Sequence, residues 1–104
     1  MKKIYLLQQE SNVDGEILFN VVPCMTLELA RQAMAKKIAT LQSESIKYGG
    51  CDFAAIERGE NDNFTIERTD DSFYISCTYD DYYENLKIVE AELIGYQEIM
   101  PPMA

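Results

Sequence analysis

Residues 26–43 read TLELARQAMAKKIATLQS, and this stretch decides the fold. Leu27, Ala30, Met34, Ile38 and Leu41 recur at three- and four-residue steps, the spacing of one stripe on a 3.6-residue helix. Thr26 stands where an N-cap is needed. Glu28 falls in the first turn, where the helix dipole favours negative charge. Arg31 and Lys37 flank the stripe, while Gln32, Lys36 and Ser43 fall opposite. The pattern predicts one amphipathic helix from residue 27 to about 43, whose apolar stripe needs an apolar surface to cover.

The sequence on either side supplies strands. Residues 3–9 (KIYLLQQ) and 16–22 (EILFNVV) are rich in β-formers, and the SNVDG between them carries the Asp-Gly signal of a hairpin. Ile17, Phe19 and Val21 share one face and Leu18 and Val22 the other, so both faces are apolar. That predicts central strands, or strands covered by something else. Pro23 is expected to close the second strand.

After the helix the chain reads as a β-meander over 64–94. Residues 64–68 (FTIER) and 72–78 (SFYISCT) are joined by a Thr69-Asp70-Asp71 turn, with Phe73, Ile75 and Cys77 on one face. Residues 79–84 are expected to form a loop before a last strand over 85–94. There Val89, Ala91 and Leu93 are expected inward and Glu90 and Glu92 outward. Leu86 and Ile88 have the opposite parity, which predicts a bulge or a two-sided start. Gly49-Gly50 marks a break and 59–63 a turn; between them 52–58 (DFAAIER) fits a short strand or one or two helical turns.

The fold class is therefore α+β: an antiparallel sheet of about five strands with one main helix packed on one face, in the order β-β-α-β-β-β. A single domain over 1–104 divides into a hairpin (1–22), the helix (26–43), the meander (64–94) and a tail (95–104). One helix covers only part of such a sheet. The other face is left to residues 46–58, to Ile99 and Met100 of the tail, or to a second copy in a homodimer.

Charge narrows the function. Residues 1–51 hold six Lys/Arg against five Asp/Glu, whereas residues 52–104 hold three against thirteen. Phosphate backbones need a basic surface, so direct nucleic-acid binding is disfavoured. An acidic half attracts a basic protein partner and speeds the encounter. No apolar run approaches the ~18 residues that span a bilayer, and the apolar stretch at 4–7 is too short for a signal peptide. A cytoplasmic protein without membrane attachment is expected. Cys24, Cys51 and Cys77 form no C-x-x-C pair and are expected to be buried free thiols.

Catalytic chemistry finds little purchase. The chain has no histidine, which removes the usual general base and transition-metal ligand. It carries no Walker loop, no G-x-G-x-x-G and no nucleophile elbow. Asp70-Asp71 and Asp80-Asp81 lack metal-loop spacing and sit in predicted turns, where Asp serves the turn itself. The expectation is a non-enzyme with no catalytic residues, no metal and no cofactor. The sharper signal is Tyr79, Asp80, Asp81, Tyr82, Tyr83 and Glu84. These are three tyrosines and three acids in one predicted loop, a composition suited to a protein interface.

Asn12-Val13-Asp14-Gly15-Glu16, the join Thr26-Leu27-Glu28 and the Tyr/Asp-rich final hairpin together resemble small uncharacterised acidic proteins of bacterial mobile elements and phages. The resemblance spans most of the chain and carries no catalytic motif. It implies a role in mobile-element conflict or accessory regulation, such as an inhibitor of a host or competitor protein. The sequence thus points to an acidic protein-binding or inhibitory module; the alternative is a structural homodimer or assembly component.

Overall fold

A computed structural model describes residues 2–47 and 52–93. Its elements are β1 (Lys2–Val13), β2 (Glu16–Cys24), α1 (Leu27–Lys47), α2 (Phe53–Glu57), β3 (Phe64–Thr69), β4 (Ser72–Cys77) and β5 (Tyr82–Leu93). The strands form one antiparallel sheet in the order β2-β1-β5-β4-β3, with α1 packed on one face. This is the expected α+β architecture. The tail and Gly49-Gly50 lie outside the described residues, as does Cys51.

Local chemistry accounts for the elements. Asp14 and Gly15 both take positive φ, 53° and 87°, as a two-residue hairpin turn requires. The Asn12 side chain seals that turn by accepting from Gly15 N at 2.9 Å. Thr26 caps α1: its Oγ1 accepts from Leu29 N at 3.1 Å. Residues 52–58 resolve as helix, because the Asp52 side chain accepts from Ala54 N and so caps α2. Phe53 and Ile56 are the buried residues of that turn.

The core lies between the helices and the sheet. Ala30 and Met34 of the α1 stripe are buried, and Ile38 and Leu41 pack beside Leu7, Phe53, Ile56, Phe73, Ile75 and Leu86. Leu7, Phe73, Ile75 and Leu86 are the largest fully buried side chains, each worth about 1.5–3 kcal/mol against exposure. Arg68 lies over the Phe73 ring at 5.1 Å and pairs with Glu57 at 3.1 Å, fastening α2 to β3.

Five expectations need correction. β2 is not a central strand: sheet order makes it an edge, and Ile17, Leu18 and Phe19 are exposed on both of its faces. Pro23 does not close β2, which continues to Cys24; an edge strand tolerates a proline whose missing N–H would face outward. β5 starts at Tyr82 and pairs with β1 without interruption, so there is no bulge. Its parity is also reversed. Leu86 and Ile88 pack under the helix, and Val89 and Ala91, of the other parity, share the opposite face. The cysteines differ as well: Cys24 and Cys77 are free but half-buried rather than buried.

Candidate functional site

The six residues singled out in the sequence do not form one surface. Tyr79, Asp80 and Asp81 lie in the β4–β5 loop and are exposed, Tyr79 at 79%. Tyr82, Tyr83 and Glu84 belong to β5, where successive side chains point to opposite faces. Tyr82 packs beside the core. Tyr83 turns to the far face, where its hydroxyl donates to Glu10 at 2.6 Å and its ring lies 6.1 Å from that of Tyr74. That hydrogen bond, before desolvation, raises the Tyr83 hydroxyl pKa above its ordinary value. Glu84 is 5% exposed, so it is not a loop acid at all.

The β4–β5 loop is instead joined to the β1–β2 turn. Asp14 N donates to Asp81 O at 2.9 Å, and Asn12 Nδ2 donates to Asp81 Oδ1 at 2.8 Å. Asn12 is buried, and its amide works at both ends, accepting from Gly15 while donating to Asp81. The α2–β3 loop reaches the same end: Thr78 N donates to Asn63 O at 2.7 Å, and Thr78 Oγ1 donates to Asp62 O at 3.3 Å. Asp14, Glu16, Asp62, Asp80 and Asp81 therefore share one end of the sheet. None of them takes part in an ion pair among the described residues.

A cavity of about 710 Å³ opens beside this end, between the last turns of α1, the start of α2 and the helix-facing side of the sheet. Leu41, Phe53, Phe64 and Ile75 give it apolar walls, and Asp14, Glu44, Asp80 and Glu84 add carboxylates. Glu84 Oε2 accepts from Ser11 Oγ and, at 3.4 Å, from Gln9 Nε2. Two strands thus orient a buried carboxylate at the wall of the cavity.

No three Asp, Glu or Cys side chains among the described residues gather as a metal site. Asp70 and Asp71 lie at the other end of the sheet, where Arg31 Nε meets Asp71 Oδ1 at 2.7 Å. Cys77 lines the cavity and its thiol donates to Asp80 at 3.8 Å. No family model, curated protein or solved structure matches this chain. No helix among the described residues is long and apolar enough to cross a membrane.

Sequence reasoning missed Asn12, Asp14 and Glu44. For Asn12 and Asp14 a signal was present: a turn acid and an Asx residue lie two positions apart in NVDG. Their relation to Asp81 depends on β5 pairing with β1, a non-local fact. Glu44 extends the α1 pattern by three residues from Leu41, which alone did not mark it as a cavity residue.

Proposed function

We propose that this chain is a small protein-binding module that recognises a basic partner through its acidic end and has no catalytic role. One observation carries the reading. Asp14, Asp80 and Asp81 are held in fixed relation by the turn-to-loop hydrogen bonds, yet none is matched by a cation among the described residues. Pre-organised, uncompensated acids favour a basic surface and speed its arrival. Tyr79 adds a rigid, exposed ring with a hydroxyl at the same end.

The cavity fits this partner as well. A Lys or Arg side chain entering it would lay its aliphatic stem along Leu41, Phe53 and Phe64 and bring its charge toward the carboxylates of Asp14, Glu44, Asp80 and Glu84. Such a module suits an inhibitor or accessory regulator in a bacterial mobile element, acting in the cytoplasm; imitation of DNA toward a basic protein is its extreme form. Stopped-flow association with a Lys/Arg-rich peptide tests the idea. The combined Asp14→Asn, Asp80→Asn and Asp81→Asn chain should bind about ten-fold more slowly and with a flatter salt dependence. Unchanged kinetics in a folded variant refute it.

The second reading is a homodimer or assembly component. It is supported by the uncovered apolar residues of β2.

A further inference from the structure

The apolar residues of β2 have no cover. Ile17, Leu18 and Phe19 are 60%, 62% and 62% exposed and Val21 is 38% exposed, although all lie in one strand. Contiguous apolar surface on the order of a few hundred Å² marks an interaction site on a folded domain. An edge strand with apolar side chains is also a template for another strand.

The hairpin fixes which backbone groups are free. In a two-residue turn, Val13 and Glu16 are a hydrogen-bonded pair, so the even-numbered residues of β2 bond to β1. Ile17, Phe19 and Val21 then direct their N–H and C=O groups to the open edge. The bond from Asp14 N to Asp81 O obeys the same alternation on the β5 side of β1. Pro23 is next in the odd series and has no N–H to give.

We propose that two copies of this chain join by antiparallel pairing of β2 with β2, about a twofold axis at Phe19, into one ten-stranded sheet. In this register Phe19 faces Phe19 of the second copy, and Ile17 and Val21 face each other. All three free residues of each copy are paired, and their side chains form one apolar row on the face away from α1. Sliding by one residue apposes inward-bonded groups and breaks the ladder. Sliding the axis to Asn20 sets Ile17 against Pro23, and sliding it to Leu18 sets Val21 against Gly15 of the turn.

Charge selects a second copy as the occupant. Residues 17–22 carry no charged side chain, and Glu10, across from Phe19 on β1, is held by the Tyr83 hydroxyl, so this edge offers little to the basic partner of the acidic end. A chain of net charge −9 repels its own copy over most of its surface, and such a neutral strip is where the repulsion is least. A pairing through three residues a side is small beside the ~800 Å² per partner of a standard interface, so the dissociation constant belongs in the micromolar range. The twofold sets the two acidic ends at opposite corners of the joined sheet, both free. The pairing therefore stands independently of what those ends bind.

Sedimentation velocity from low-micromolar to near-millimolar chain tests the proposal. The expected result is a mass rising from one chain to two, with tighter association at higher salt as self-repulsion is screened. Phe19→Lys and Val21→Lys, each at an exposed position, should weaken association at least ~10-fold. In the unaltered chain, hydrogen exchange at the Ile17, Phe19 and Val21 amides should slow with concentration, while Leu18 and Asn20 stay constant. A single-chain mass at every concentration overturns the proposal. So does a dimer that Phe19→Lys leaves intact, or one that leaves those three amides unprotected.

Discussion

The two ends of the sheet treat charge in opposite ways. At the end of the β3–β4 turn two acids meet cations, though Asp70 does not: Asp71 holds Arg31 at 2.7 Å, and toward the start of β1 Glu90 holds Lys3 at 2.8 Å. At the end of the β1–β2 turn, Asp14, Glu16, Asp62, Asp80 and Asp81 meet none among the described residues. Both ends rest on the same core and are built by the same chain. With nine Lys/Arg for eighteen Asp/Glu some acids must stay unpaired, and the difference lies in where they stand: α1 and β1 supply partners at one end. The hydrogen bonds of the acidic end go instead into fixing backbone to backbone and Asn12 to Asp81. Acids at one end neutralise; at the other they are displayed.

The largest expected effect tests whether the ends share one foundation. Phe73 is fully buried beneath both helices' apolar faces, and Phe73→Ala should cost about 3–5 kcal/mol in urea unfolding. Amides at both ends should lose protection together. Independent unfolding of one end would break the comparison at its root.

Next comes the buried amide of the acidic end. Asn12→Ala removes the bonds to Asp81 and Gly15, each worth about 0.5–1.5 kcal/mol net. The Asp14 and Gly15 amides should exchange faster while those of β3 and β4 do not change. At the other end, Arg31→Ala breaks a half-exposed pair and should destabilise less than Asn12→Ala, and less still in high salt. Equal losses from the two substitutions would mean that the acidic end is no better organised than an ordinary surface pair.

Much of this was legible before the structure. The NVDG turn, the Thr26 cap and the Ala30–Met34 stripe are local patterns, and local patterns survive into the fold. What could not be read was sheet order. Placing β5 between β1 and β4 makes β2 an edge, turns Val89 and Ala91 away from the helix, and carries Glu84 inward. Those outcomes follow from pairings across more than seventy residues, as between Ser11 and Glu84. The Glu84 placement did leave a trace: Tyr82, Leu86 and Ile88 share its parity, and all three pack by the core. The Tyr-Asp composition suggested one loop surface, and strand alternation divided it.

The smallest effect concerns pH. The Glu10 carboxylate accepts from Tyr83 and holds its proton, so the phenol should ionise above its ordinary value of 10.0. The folded state keeps that proton more firmly than the unfolded chain. The resulting stability is present below pH ~10 and lost as pH rises through the folded pKa. Absorbance titration should show one late tyrosine that Glu10→Gln moves earlier; no change on that substitution would remove the bond from the account.

Amide chemical-shift mapping during titration with a Lys/Arg-rich peptide, at low and at high salt, tests most directly the proposal that these acids form a recognition surface. Shifts are expected only in the β1–β2 turn, the β4–β5 loop and the cavity lining at Glu44, Phe53 and Glu84, fading as salt rises. Shifts centred on Asp71 and Glu90, or a pattern indifferent to salt, would contradict it.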